Sequence, residues 1–181
     1  MEWVHVSKDV ESALREIETD SDRAAAIVAA TLVDEHLTLA LRHSLHQNKS
    51  IANEMFSNSG PLGSFASKIN LAFLIGIFSI KCHKELNTIK RIRNLFAHNL
   101  TISGCESEQV NDLVKNLVLH QSKFTITNLD RPTVTTRSLV YTPEPTAPLN
   151  NRDRYIRACK YYTEILSMQI PGRVTMPQPF F

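Results

Sequence analysis

The chain has 181 residues, 43% of them apolar and 21% charged, with a formal net charge of +2. These proportions describe a single globular domain with a sizeable core and exclude wholesale disorder. So small a net charge excludes the strong positive field of a dedicated nucleic-acid-binding domain.

Taken in chain order, the first residues Met1-Glu2-Trp3-Val4-His5-Val6 have no basic segment followed by an apolar run, so no secretory leader is read there. Ser7 is placed to cap a first helix carrying Val10, Leu14 and Ile17 and ending near Thr19. The cluster Thr19-Asp20-Ser21-Asp22 offers a cap and two acids to a longer, Ala- and Leu-rich helix that runs to about Gln47. Turn formers concentrate at Asn58-Ser59-Gly60-Pro61-Leu62-Gly63, and Ser64 can cap the helix after them. Phe65, Ile69, Ala72, Phe73 and Gly76 form a helical stripe. The run 71–77 is apolar nearly all round, which predicts the central helix of a bundle. Ser79 starts the next helix, through Leu86, Ile89 and Ile92 to His98.

Past Leu100 the periodicity weakens, although 106–120, with Val110, Leu113, Val114 and Leu117, predicts one more amphipathic helix. Residues 124–127 and 134–141 are β-prone but flanked by Pro132, Pro143, Pro145 and Pro148. The excursion 124–150 is therefore a β-hairpin or an irregular extended segment. A last helix over 151–168 carries Ile156, Cys159, Tyr162 and Leu166 and is stopped by Pro171 and Gly172. The expected fold is all-α: an antiparallel helical bundle in one domain, 1–181, with its core in 7–100 and 101–181 packed on it. No continuous apolar run reaches the roughly 20 residues a bilayer requires, so no membrane segment is expected. Cys82, Cys105 and Cys159 are odd in number and widely spaced, which fits reduced thiols in a cytoplasm better than a disulfide framework or a zinc knuckle.

The segment Lys90-Arg91-Ile92-Arg93-Asn94-Leu95-Phe96-Ala97-His98 concentrates the polar chemistry. Asn94 and His98 are four apart and share a helical face, with Arg93 about 100° round from Asn94. A cation, an amide and an imidazole can thus meet at one helix end. Alternatively, Arg93 pairs with a carboxylate such as Asp22 or Asp34 while His98 complements the dipole at the helix's carboxyl end. Arg23 and Asp34, eleven apart, share a face that could meet Arg91 or Arg93 in an ion-pair network or line a polar pocket. His36, His43 and His46 recur at intervals of seven and three. That spacing admits zinc but lacks a Cys partner or a Glu placed as a base, so a solvated histidine row is the simpler reading. Lys81, Lys84, Lys90, Arg91 and Arg93 form one basic run, and Arg152, Arg154, Arg157 and Lys160 another. Each is either a phosphate-contacting face or a solvated, ion-paired one. No cofactor-binding or metal motif is read, and the Gly60–Gly63 turn lacks the Lys-Ser/Thr of a phosphate loop.

Three blocks carry a resemblance. Ser21-Asp22-Arg23-Ala24-Ala25-Ala26 through Asp34-Glu35, then Gly60-Pro61-Leu62-Gly63-Ser64-Phe65 with Lys68-Ile69, then 89–98, resemble the mannitol operon repressor family of bacterial helical proteins over roughly residues 20–100. The resemblance implies an all-α fold and negative regulation of transcription. The family lacks an obvious DNA-binding motif, and no helix-turn-helix is read here, so direct operator contact is the least supported route. Repression through a protein partner is implied instead, a phosphocarrier of the phosphotransferase system being one such partner. The same blocks resemble the wider HEPN group of helical domains, whose ribonuclease members carry Arg followed four to six residues later by His, as Arg93 and His98 are here. Many members of that group bind without cutting; as the alternative to a regulator, likeness to the ribonuclease members implies metal-independent RNA cleavage by a homodimer, with Arg93, Asn94 and His98 as the catalytic residues.

Overall fold

The structure is a computed structural model that describes residues 15, 17, 18, 21–118, 122–131, 134–143 and 149–168. Among these, six helices pack together: α1 (Asp22–Ser44), α2 (Lys49–Met55), α3 (Phe65–Leu74), α4 (Ile80–His98), α5 (Glu108–Val114) and α6 (Asn151–Met168). The one strand pairing among them is an antiparallel ladder between β1 (Ser122–Arg131) and β2 (Val134–Pro143), running from Ser122 opposite Pro143 to Arg131 opposite Val134. Within the expected excursion, the described residues 124–131 and 134–143 therefore pair as antiparallel strands. Most of the expected first helix and the tail after Met168 lie outside the described residues, although Arg15, Ile17 and Glu18 are helical and Ile17 is buried.

Local chemistry sets the helix starts. Ser21 Oγ accepts from Ala24 N at 3.3 Å, Asn48 Oδ1 from Ile51 N at 3.1 Å, Ser64 Oγ from Ser67 N at 3.0 Å and Asn150 Oδ1 from Asp153 N at 2.7 Å. Each satisfies one donor that a first helical turn leaves without an acceptor. At the other end of α3, Gly76 takes φ +78°, and its N–H donates to Phe73 O at 3.0 Å while Ile77 N–H donates to Ala72 O at 2.9 Å. Only glycine enters that left-handed region without strain, so the helix stops there.

The central element is α1, not α3. Ala25, Ala29, Val33, Leu37 and Leu41 are buried along α1 at helical spacing, and the small residues let α6 approach until Tyr155 OH donates to Ala26 O at 3.0 Å. Against them pack Leu86, Ile89, Ile92 and Phe96 of α4 and Tyr155, Ala158, Tyr162 and Leu166 of α6. Burying a side chain of this size contributes roughly 1.5–3 kcal/mol. Helix α3 by contrast buries Lys68, Ile69 and Ala72, and leaves Leu74 78% exposed. The run 71–77 is apolar without being central. Nor does 106–120 form one helix: α5 occupies Glu108–Val114 and the chain turns at Lys115 and Asn116.

By length and composition α1 is the one described helix able to cross a bilayer, with mean hydropathy 1.5 over its most apolar stretch, of which 56% is buried in the bundle. Its polar residues interrupt the continuous run sought in the sequence. Two polar ties complete the frame. Glu85, itself buried, accepts from Val118 N at 2.8 Å and from Tyr162 OH at 3.2 Å. Asp22 accepts from Arg152 Nη1 at 2.8 Å and from Cys105 N at 2.7 Å.

Candidate functional site

A cleft of about 410 Å³ opens where α1, the start of α3 and the end of α4 meet. From α1 come Ala30, Thr31 and Asp34; from the α3 start Gly63, Ser64, Phe65 and Ala66; from α4 Lys90, Arg93, Asn94 and His98. The periodicity of α4 explains its share: Lys90, Asn94 and His98 succeed one another at four-residue intervals on one face. The opposite face carries Ile89, Ile92 and Phe96 into the core. Small residues on the other two walls, Ala30, Gly63 and Ala66, keep the space open.

Gly63 lies in a tight turn in which Gly60 N–H donates to Ser57 O at 2.9 Å, Leu62 N–H to Met55 O at 2.9 Å and Gly63 N–H to Gly60 O at 3.0 Å. A Cβ on Gly63 would stand against the carbonyls of Ser57 and Asn58, the latter at 2.7 Å. The turn needs glycine there, and the turn delivers the start of α3 to the cleft.

Polar contacts in the cleft divide into two groups. Asp34 forms an ion pair with the buried Lys68 at 2.5 Å, and Lys68 Nζ also donates to Thr38 Oγ1 at 3.0 Å. Burial pushes the Asp34 carboxyl above the ordinary carboxylate range, with Lys68 and the more distant Arg93 pulling against it. The second group is cationic. Arg93 Nη1 donates to Asn94 Oδ1 at 3.0 Å and Lys90 Nζ to Asn87 Oδ1 at 2.8 Å. Among the described residues neither cation has a carboxylate within ion-pair distance. His98 ends α4, is exposed and lines the cleft.

The structure thus brings Arg93, Asn94, His98 and Asp34 together and redistributes the other predicted residues. Arg93 pairs with neither Asp34 nor Asp22, because Lys68 takes the first and Arg152 the second. Arg23 joins no ion-pair network with Asp34. Its guanidinium donates to the carbonyls of Phe96, of Asn99 at 3.1 Å and of Ile102 at 2.8 Å, closing the carboxyl end of α4. A cation with several planar donors suits that end of a helix, where carbonyls lack helical donors and the dipole is negative. Arg91 is exposed and outside the cleft. His36, His43 and His46 do not form one row: His36 is buried with Nδ1 2.8 Å from Leu32 O, while His43 and His46 are exposed at and beyond the helix end. Among the described residues no three His, Cys, Asp or Glu side chains gather as metal ligands.

Lys90 and the start of α3 are cleft residues that sequence reasoning did not place. The four-residue interval from Lys90 to Asn94 is the available signal for the first, whereas nothing in sequence spacing brings Ser64 or Ala66 to α4. No family model, no curated protein and no solved structure matches this chain.

Proposed function

We propose that this chain is a cytoplasmic negative regulator of transcription resembling the mannitol operon repressors, acting as a homodimer through a protein partner engaged at the cleft. The observation that supports this is convergence. The three blocks that carry the resemblance are separated by tens of residues, yet Asp34 of the first, Gly63, Ser64 and Phe65 of the second, and Arg93, Asn94 and His98 of the third line the same cleft. The partner class is taken from the family resemblance: a phosphocarrier protein of the phosphotransferase system. Direct operator binding gains no support, since the most basic helix, α4, gives its apolar face to the core and its other face in part to the cleft. The test is affinity capture from lysate of cells grown on mannitol, with wild type beside Arg93→Gln and partners identified by mass spectrometry. The expected result is a phosphocarrier retained by wild type and diminished by the variant. Retention of nothing above background rejects the partner reading.

A second reading is favoured by one observation, the presence of Arg93, Asn94 and His98 on a common cleft with no carboxylate paired to Arg93 among the described residues. In it the protein is a metal-independent endoribonuclease. Cleavage needs a base for the ribose 2′-hydroxyl, an acid for the leaving oxygen and a cation for the charge on the phosphorane. His98 and Arg93 supply those groups, and a second copy facing the first would complete the pair of proton-transfer groups. Labelled RNA incubated with the protein in EDTA tests this reading. Cleavage by wild type lost in Arg93→Ala and His98→Ala supports it, and intact RNA with wild type removes it.

A further inference from the structure

We propose that the cleft is an effector site for a small phosphate monoester with a hydroxylated body, a reading that rests on the cleft being the working site of the protein. Charge points to an anion. Asp34 is paired with Lys68 at 2.5 Å, so Lys90 and Arg93 stand without a carboxylate at ion-pair distance among the described residues lining the cleft. A half-buried cation gains most from a desolvated anion, and two of them match a dianion.

Donor count points to phosphate. Arg93 spends one of its five N–H donors on Asn94 and Lys90 one of its three on Asn87. The ten-residue α3 starts in the same wall. Its Ser67 and Lys68 N–H groups are taken by Ser64, at 3.0 and 3.2 Å, but those of Phe65 and Ala66 belong to the first turn, which has no helical acceptor. Donors on that many cleft-lining residues suit an acceptor-only group with three oxygens. The positive end of the α3 dipole adds to them.

Shape and acceptors supply the rest of the ligand. The cleft volume, about 410 Å³, falls in the range of small-molecule sites. Among its other polar groups, the Asp34 carboxylate and the Thr31 hydroxyl accept hydrogen bonds from alcohols, while Ala30, Gly63 and Ala66 leave room for a compact body. A polyanion is the poorer fit, because the chain carries only +2 overall and so offers little field beyond the cleft.

The full chain is titrated calorimetrically at low salt with inorganic phosphate, glycerol phosphate and glycerol, and with a short oligonucleotide lacking a terminal phosphate. Phosphate and glycerol phosphate are expected to bind, the ester more tightly, and glycerol not to bind. Arg93→Gln and Lys90→Gln should each weaken the ester about tenfold or more, as loss of a charged hydrogen bond does, and exposed Arg91→Gln by no more than about twofold. Amide shifts in ester-saturated wild type should centre on Phe65 and Ala66, a readout that needs no variant to fold. The proposal is overturned by no heat from either phosphate at about 10 mM, by unchanged affinity in both cleft variants, by shifts centred elsewhere, or by tighter binding of the oligonucleotide than of the ester. Ester binding without any captured partner upholds this site and rejects the partner reading; partner capture with no ester binding does the reverse.

Discussion

Arg23 donates to the carbonyl of Ile102 at 2.8 Å, so a side chain from the first turn of α1 grips the chain just past α4. The same guanidinium holds Phe96 O and Asn99 O, which fixes the end of the helix that presents Arg93, Asn94 and His98. Arg23→Met should therefore destabilise the fold by about 2–4 kcal/mol, because three buried or half-buried carbonyls lose a charged donor at once. Arg23→Lys should recover less than half, since a point charge cannot reproduce the planar fork. Urea denaturation of the three proteins measures both.

Two aspartates should give opposite pH dependences. Burial raises the Asp22 carboxyl, but the Cys105 N–H and Arg152 outweigh it and hold it below its ordinary value. A depressed folded value means that this carboxylate stabilises the fold above the unfolded value, about 3.9, and that the contribution is lost as pH falls through the folded one. The stability gap between wild type and Asp22→Asn should thus shrink as pH drops below about 4. Asp34 is pushed up by burial against the pull of Lys68, so its ionised form is the one the fold disfavours. Relative to Asp34→Asn, wild type should gain stability as pH falls. Denaturation series from pH 7 to acid read both slopes.

Thiol reactivity should be confined. Burial, then the neighbouring Asp22 charge, push the Cys105 thiol up to about 12, and burial pushes Cys159 and the half-buried Cys82 upward as well. With thiolate so scarce, an aromatic disulfide reagent at pH 8 should modify Cys105 and Cys159 only after unfolding, leaving Cys82 as the one slow native site. Rapid native modification of Cys105 would contradict the tie between Asp22 and the residue 105 backbone.

Gly63→Ala should cost about 2 kcal/mol or more and narrow the cleft, because its Cβ meets the carbonyls of Ser57 and Asn58. Gly76→Ala, in open space but at φ +78°, should cost about 1 kcal/mol through backbone strain alone. Comparing the two by thermal unfolding separates steric from conformational cost.

Much of the frame is legible in the sequence because it is written in local chemistry. Ser21, Ser64 and Ser79 stand at the observed starts of α1, α3 and α4, and the apolar spacing of α6 matches its buried row of Cys159, Tyr162 and Leu166. The features that escape depend on neighbours. Helix α2 is seven residues long and buries none of them, so it leaves no periodic signal. The run 71–77 looks central because composition does not report that the helix ends and leaves Leu74 uncovered. The site is half legible. Arg93, Asn94 and His98 share a helix and can be found, whereas the acceptors of Arg23 are backbone carbonyls and leave no mark on sequence. The choice of Lys68 for Asp34 and Arg152 for Asp22 is made by packing across 34 and 130 residues respectively.

The cleft is proposed as the place where the protein works. Purified phosphocarrier titrated against wild type, Arg93→Gln and Arg91→Gln addresses it directly, with circular dichroism confirming that each variant is folded. Binding by wild type and Arg91→Gln, weakened about tenfold or more in Arg93→Gln, is the result expected. No binding by wild type, or equal binding by all three, would contradict it.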